Sequence, residues 1–332
     1  MDRATVSQVA LVGCGAIGSR FDEGRLGPVR THARAFAAHP GARLVATCDS
    51  DPERALAAQR AWGADAAYTD LEALLSAHAV DVVSLATSTS ARLAPLRAIV
   101  AARVPAVLCE KPLAETREEG EAVAAALAGS GTRAVVNFWR RFDPGLAPLL
   151  ARARAGELGA LARGVVVYGK GLNNNGSHAI DLVRAACGEI DRVSAGARVV
   201  DGRDDDPSLD VTLHVGAARV SLVATDCRRY SVFEIDLLFE RGRLRLADGR
   251  ARLSVASPDP TFAGYTSLAL EADVALDPGA AFVAAAGEAL LLARSPAARP
   301  TASIDDALAA LRVVDAARRA HAADHDTERT DR

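Results

Sequence analysis

Two kinds of hydrophobic patterning divide this chain near its middle. In the first half, short apolar runs alternate with segments of helical period. QVALV at 8–12 leads to a helix around 31–39, and LVATC, which ends at Asp49, leads to a helix around 52–62. DVVSLAT at 81–87 precedes a helix around 93–102, AVLCEK at 106–111 precedes one around 115–128, and RAVVNF at 133–138 closes the series. Strands that are apolar on both faces and joined by crossover helices predict a parallel sheet covered on both sides. Ligand-binding loops of such a sheet leave the carboxyl ends of the strands, here 13–18, 49–51, 87–92 and 110–112. The stretch from Gly18 to His32 is longer than a tight turn needs. It reads either as a loop near a ligand mouth or as a surface excursion.

From about residue 150 the pattern changes. RGVVVYG at 163–169 is strand-like, and SHAIDLVRAAC at 177–187 has the period of a short amphipathic helix. VSAGARVV, LDVTLHV, ARVSLVA, VFEIDLLF, GRLRL and ARLSV then follow without helices between them, separated by turns such as Asp201-Gly202 and Asp248-Gly249. That alternation predicts a mostly antiparallel sheet with one buried face. Two alanine-rich helices, at 279–294 and 303–321, end the chain, with Ser303 and Asp306 as a cap for the second. The expected fold is α/β: a dinucleotide-binding parallel sheet over 1–135, then an α/β domain with an open sheet over 136–332 whose last helices pack back.

Composition narrows the partners. Half of the 332 residues are hydrophobic but only 4% are aromatic, so the core must be built mainly from Ala, Val and Leu. The net charge of −3 comes with no basic block, which excludes nucleic acid and an anionic membrane as expected partners. No apolar run is long enough to span a bilayer, and the N-terminus lacks a leader pattern, so a cytoplasmic protein is expected. The five cysteines include no C-x-x-C pair, which predicts neither a disulfide framework nor a metal site.

The candidate chemistry begins at the first strand, which runs directly into Gly13-Cys14-Gly15-Ala16-Ile17-Gly18. Gly13 permits the turn, Gly15 lets the backbone approach a pyrophosphate, and Gly18 allows close helix–sheet packing, with Ala16 and Ile17 opening the helix whose amides face the phosphates. Asp49, at the end of the second strand, is placed to accept from ribose hydroxyls, or to cap the next helix, a role better suited to Ser50 or Asp51. A carboxylate there favours NAD over NADP, although the nearby Arg54 can offset its charge. Thr87, Ser88 and Glu110 lie in the other strand-end loops on the cofactor side. Lys111, fixed in extended backbone by Pro112, can direct its charge at a substrate oxygen beside the cofactor. Asn174, Asn175, His178 and Asp181 form a second cluster. His178 suits proton transfer, and Asp181, three positions on, either orients it, binds substrate or lies in the helix. Tyr168 and Lys170 read as site residues or as exposed strand-end residues. One histidine among amides falls short of a metal ligand set.

These motifs resemble the glucose-fructose oxidoreductase, inositol dehydrogenase and rhizopine catabolism family over nearly the whole chain. The resemblance rests on the glycine turn, Cys109-Glu110-Lys111-Pro112-Leu113, Asn137-Phe138-Trp139-Arg140-Arg141-Phe142 and Gly176-x-His178-x-x-Asp181. It implies a Rossmann-type domain and an open-sheet domain that forms dimers or tetramers, with NAD or NADP as cofactor and a sugar, nucleotide-linked sugar, amino sugar or cyclitol as substrate. It makes Lys111 and His178 the catalytic pair and adds Arg141 to the substrate side. Two positions depart from it. Asn174 stands where many relatives have aspartate, and an amide cannot act as a base. Ser88 and Arg92 stand where many relatives carry proline and histidine; Arg92 reads as an anion-binding or a surface residue. A redox-neutral enzyme using tightly held NAD, or a non-catalytic binding protein, are the alternatives to a dehydrogenase.

Overall fold

The computed structural model describes residues 6–330, and it divides into two compact units, 1–143 with 277–308 and 144–276 with 309–332. The first unit opens with β1 (Ser7–Val12), α1 (His32–Ala38), β2 (Ala42–Cys48), α2 (Pro52–Trp62), β3 (Ala66–Tyr68) and α3 (Leu71–Ala77). It continues through β4 (Val82–Leu85), α4 (Leu93–Ala101), β5 (Ala106–Cys109), α5 (Arg117–Leu127) and β6 (Arg133–Val136). The six strands are all parallel, in the order β3-β2-β1-β4-β5-β6. The order reverses direction beside β1, which is where such sheets open a crevice at their carboxyl edge.

Helix ends follow local chemistry. Asp51 caps α2, its carboxylate accepting from the amides of Glu53 and Arg54, and Gly63 closes the helix in the left-handed region. Asp70 and Thr116 cap α3 and α5 in the same way.

In the second unit, α6 (Leu146–Arg154) precedes β7 (Leu161–Tyr168) and α7 (Ser177–Cys187). The remaining strands are β8 (Arg192–Val199), β9 (Ser208–Val215), β10 (Ala218–Ala224), β11 (Phe233–Phe239), β12 (Gly242–Ala247), β13 (Arg250–Pro258) and β14 (Thr266–Ala275). They form an eight-stranded sheet in the order β14-β13-β12-β11-β7-β10-β9-β8, antiparallel except for β7 beside β10. Val166, Val220, Leu222 and Leu237 are buried, whereas their neighbours Val165, Val223 and Leu238 are 39–42% exposed. One face is covered and the other is open, as the alternation predicts.

The chain then enters α8 (Pro278–Arg294) and α9 (Ile304–Thr330). Helix α8 belongs to the first unit, against α1, β5 and β6, and buries Phe282, Ala285, Ala286 and Ala289. Its small side chains permit close approach, and Phe282 meets the edge of His32 at 5.9 Å between ring centres. The first unit thus runs beyond residue 135 and takes back 277–308, because these apolar faces complete its core. Ser303 and Asp306 form the expected reciprocal cap, the amide of each bonded to the side chain of the other. Among the described residues, no helix is long and apolar enough to cross a membrane.

Candidate functional site

The carboxyl edge of the parallel sheet carries a cleft of about 330 Å³, lined by Gly13, Gly15, Asp49, Arg54, Thr87 and Ser88 among others. All six were marked by the sequence. Gly13 has φ of 90°, and a Cβ there would lie 2.6 Å from the Ala86 carbonyl carbon and the Thr87 nitrogen. At Gly18 a Cβ would lie 2.0 Å from the Gly13 oxygen, so both glycines are fixed by backbone approach. Gly15 differs: a Cβ there would meet nothing within 4 Å, and it faces open space in the cleft. Thr87 contributes a buried hydroxyl with no hydrogen-bond partner among the described residues. A buried hydroxyl beside an open cleft is a polar group awaiting a ligand.

One expectation for this turn is corrected. Ala16 and Ile17 do not open a long helix behind the glycines. They begin a five-residue π-helical turn, Ala16–Arg20, and α1 starts only at His32. An aligned stack of backbone dipoles behind the turn is therefore short, and anion binding would fall on local amides. The stretch between is largely exposed and is anchored by buried Asp22, which accepts from the Arg30 amide at 2.7 Å and the Thr31 hydroxyl at 2.9 Å.

Asp49 is 9% exposed, and its two oxygens accept from the amides of Cys14 at 2.8 Å and Asp51 at 2.9 Å. A carboxylate has about four acceptor positions, so each oxygen keeps capacity for a ligand hydroxyl. The helix-cap role belongs to Asp51, not Asp49. Arg54 directs Nε to Asp51 at 2.8 Å, with Asp49 at 3.8 Å. Burial, and then the Asp49 charge, push the Cys14 thiol up to about 12, and the same two causes push Cys48 up to about 11, so neither is a nucleophile.

At the end of β5, Glu110 turns inward rather than toward the cleft. Its Oε1 meets Nε2 of His32 at 2.8 Å and accepts from the Asn137 amide at 2.6 Å, while Oε2 accepts from the Lys111 amide at 3.2 Å. His32 is fully buried, and its Nδ1 meets the Ser84 hydroxyl at 2.8 Å. Burial alone would raise the Glu110 carboxyl, but the His32 hydrogen bond and charge, with Lys111 and Asn137, hold it below its usual value. Glu110 is thus an ionised internal anchor for Lys111, a correction to its expected role as a cofactor contact. His32, Ser84 and Asn137 were not singled out for chemistry by the sequence. Their signal is a polar residue at an apolar strand or helix position, too common to mark them on its own.

Arg92 is another correction. It is 2% exposed and donates to the carbonyl oxygens of Thr87 at 2.9 Å, of Leu113 at 3.4 Å and of Pro112. It ties the loop after β4 to the Lys111-Pro112 segment and is neither an anion-binding nor a surface residue. Arg141 pairs with Asp306 at 3.1 Å in the same unit.

The second unit holds Asn174, Asn175, His178 and Asp181. A π-helical turn, Leu172–Gly176, runs straight into α7, so Asn174 and His178 stand four positions apart on one continuous helical segment. His178 is 5% exposed and packs edge-on to Phe233 at 6.4 Å, and Asp181 is 1% exposed. The Asn174 side chain donates to the Lys170 carbonyl at 3.0 Å, and that of Asn175 to the Gly169 carbonyl at 2.9 Å. Tyr168 does not belong with them. It is fully buried, and its hydroxyl donates to the Leu209 carbonyl at 2.7 Å and accepts from the Leu209 amide at 3.0 Å. Both of its hydrogen-bonding functions serve the sheet, which removes it from the substrate residues. Among the described residues, no cluster suits a metal ion.

Residues 7–138 match the oxidoreductase family with an NAD-binding Rossmann fold that includes glucose-fructose oxidoreductase and inositol dehydrogenase. That match covers less than half of the chain, and it is a likeness of the first unit. Among curated relatives, the chain is 27% identical to the D-apiose dehydrogenase of Paraburkholderia graminis, over 74% of this chain and 67% of that one. With inositol 2-dehydrogenase 4 of Saccharopolyspora erythraea the identity is 38%, over 46% of this chain and 42% of that relative's length. The match to the inositol dehydrogenases thus spans less than half of their length. Among solved structures, levoglucosan dehydrogenase in complex with NADH and levoglucosan superposes with a TM-score of 0.78 at 18% identity, covering 95% of this chain and 97% of that one. The myo-inositol dehydrogenase of Corynebacterium glutamicum gives 0.74 at 20% identity, covering 95% and 96%. At those identities the likeness establishes a shared fold across both units.

Proposed function

We propose that this chain is a member of that oxidoreductase family, an NAD-dependent dehydrogenase or reductase acting on a hydroxyl-bearing carbon of a sugar, nucleotide-linked sugar, amino sugar or cyclitol. The single observation that carries the reading is the cleft at the carboxyl edge of the parallel sheet, where the open side of Gly15, the unpartnered Thr87 hydroxyl and the Asp49 carboxylate suit a dinucleotide. Gly15, Thr87 and Ser88 would hold the phosphates and the nicotinamide side, and Asp49 the adenine ribose. NAD is preferred over NADP, because Arg54 faces two carboxylates and has little charge left for a 2′-phosphate. When bound, NAD supplies the hydride acceptor, or NADH the donor.

The chain's own residues then handle charge and proton. Lys111, anchored through Glu110, stabilises the partial negative charge on the substrate oxygen. His178 takes or returns the hydroxyl proton, the general acid–base role that an imidazole side chain can fill. Asn174, an amide, orients a hydroxyl by donating and accepting rather than by removing a proton. Arg141, Asn175 and Asp181 complete the substrate side. The names of the relatives, which refer to apiose, inositol and levoglucosan, favour a free polyol. Two further expectations go with this reading: assembly into dimers or tetramers through the open sheet face, and a reducing, cytoplasmic setting that suits five free thiols.

The test is a panel of inositols, free sugars and nucleotide-linked sugars, followed by NADH absorbance. At least one substrate should give NAD-dependent turnover, and Lys111→Ala should lower that turnover by about two orders of magnitude or more while NAD still binds. A wild-type protein that binds NAD yet reduces none of it with any member of the panel would overturn the proposal.

A further inference from the structure

The helical segment that carries Asn174 and His178 starts with no cap of its own. Gly171 precedes the 172–176 turn, Gly176 precedes α7, and neither offers a side chain to the first amides. Exposed helix-start amides cost stability unless an acceptor meets them. Here the acceptor comes from another part of the chain. The Asp206 carboxylate, on the loop between β8 and β9, accepts from the Asn173 amide at 2.9 Å through Oδ1 and from the Asn174 amide at 2.8 Å through Oδ2.

We propose that Asp206 is a positioning residue for the reaction: it caps the 172–176 turn from outside and so fixes where Asn174 and His178 stand. This rests on the roles given above to those two residues. Three observations within the second unit support it. Asp206 is 8% exposed, so its charge is stabilised by the groups around it and little by water. Its Oδ1 also accepts from Arg318 of α9 at 3.0 Å, which ties the carboxylate to that helix. The turn is shaped to receive it: Gly171 has φ of 88°, and a Cβ there would lie 2.1 Å from Asp206 Oδ2. The loop is braced in turn, since the Gly171 amide donates to the Ser208 hydroxyl at 3.0 Å and that hydroxyl donates to Asp201 at 2.8 Å. A carboxylate at a helix start also opposes the positive end of the backbone dipole.

The experiment compares Asp206→Ala and Asp206→Asn with the wild-type full chain, using the best polyol from the panel. Asp206→Ala should lower kcat/KM about tenfold or more by displacing the reacting groups, while NAD affinity, a property of the other unit, stays within about twofold. Asp206→Asn keeps one acceptor oxygen and should recover part of the loss, and that partial rescue is what general destabilisation would not give. Hydrogen exchange at the Asn173 and Asn174 amides should quicken about tenfold in Asp206→Ala. Wild-type kcat/KM with unchanged exchange, or turnover and NAD affinity falling together, would overturn the proposal. The exchange arm needs no substrate, so it reads the capping role even if the panel yields no activity, and the two failures remain distinct.

Discussion

The two units hold their polar residues in opposite ways. In the parallel sheet, Gly13, Asp49, Thr87 and Lys111 all follow the carboxyl ends of strands, so topology alone brings them to one edge. In the mixed sheet, Asn174 and His178 sit on a helical segment whose start is fixed by Asp206, distant in sequence and from a loop. The first arrangement is written into strand order. The second depends on side-chain capture from a loop distant in sequence, which no periodicity encodes. The difference predicts where substitution will hurt the fold and where it will hurt only the chemistry.

The largest effect belongs to the glycine turn. Gly18→Ala would set a methyl 2.0 Å from the Gly13 carbonyl oxygen, a contact that only backbone movement can relieve. It should cost about 3 kcal/mol or more in chemical denaturation. Gly15→Ala, two glycines within the same motif notwithstanding, meets open space and should leave stability within about 0.5 kcal/mol while weakening NAD binding in titration calorimetry. Equal destabilisation by the two would erase the distinction between a packing glycine and a ligand-facing one.

Glu110→Gln comes next. The native carboxylate receives donors from His32, Asn137 and the Lys111 amide, and a glutamine must turn its NH2 toward one of them. The expected cost near neutral pH is about 2–3 kcal/mol. Because the folded state lowers the Glu110 pKa, the wild-type protein has this contribution in full above the ordinary glutamate value of about 4.3. It loses the contribution as pH falls through the lower native value. Denaturation curves taken across the acid range should therefore fall more steeply for wild type than for Glu110→Gln, and parallel curves would deny Glu110 its charge.

The same contrast explains what could be read from sequence. The apolar runs that became β1, β2, β4, β5 and β6 were legible because a strand buried on both faces needs continuous hydrophobicity. The turn at Asp248-Gly249 was legible too, with both residues at positive φ in a two-residue hairpin between β12 and β13. Strand β14 (Thr266–Ala275) was not read from the sequence, although Leu268, Leu270, Ala272 and Val274 alternate along it; its apolar face is largely exposed, with Leu268 and Leu270 open to solvent. Short β3 and α3 lack a sustained pattern, whereas α6 went unread although Leu146, Leu149, Leu150 and Ala153 recur at helical spacing and are buried. At the site, Lys111 and His178 stand out by residue type, but Arg92 and Tyr168 show how far residue type misleads. An arginine in a cofactor-side loop reads as accessible until three carbonyl oxygens are found around it. A tyrosine near the end of a strand reads as a site residue until its hydroxyl is found bonded twice to Leu209.

Asn174→Asp should have the smallest effect on the fold and is the sharpest probe of the second arrangement. The Asn174 side chain donates to the Lys170 carbonyl, and an ionised aspartate cannot. That loss, together with repulsion from Asp206, is offset by a negative charge in the first turn of a helical segment, which the backbone dipole favours. Stability should therefore stay within about 1 kcal/mol of wild type. Activity is another matter. A carboxylate beside the reacting hydroxyl would favour the protonated form of a neighbouring imidazole and add an ionisation of its own, so the acid limb of the kcat/KM profile should move. An unchanged rate and an unchanged pH profile on the best substrate would put residue 174 away from the reacting oxygen. In that event Asn174 serves the turn alone, and the burden of orienting the substrate passes to its neighbours on α7.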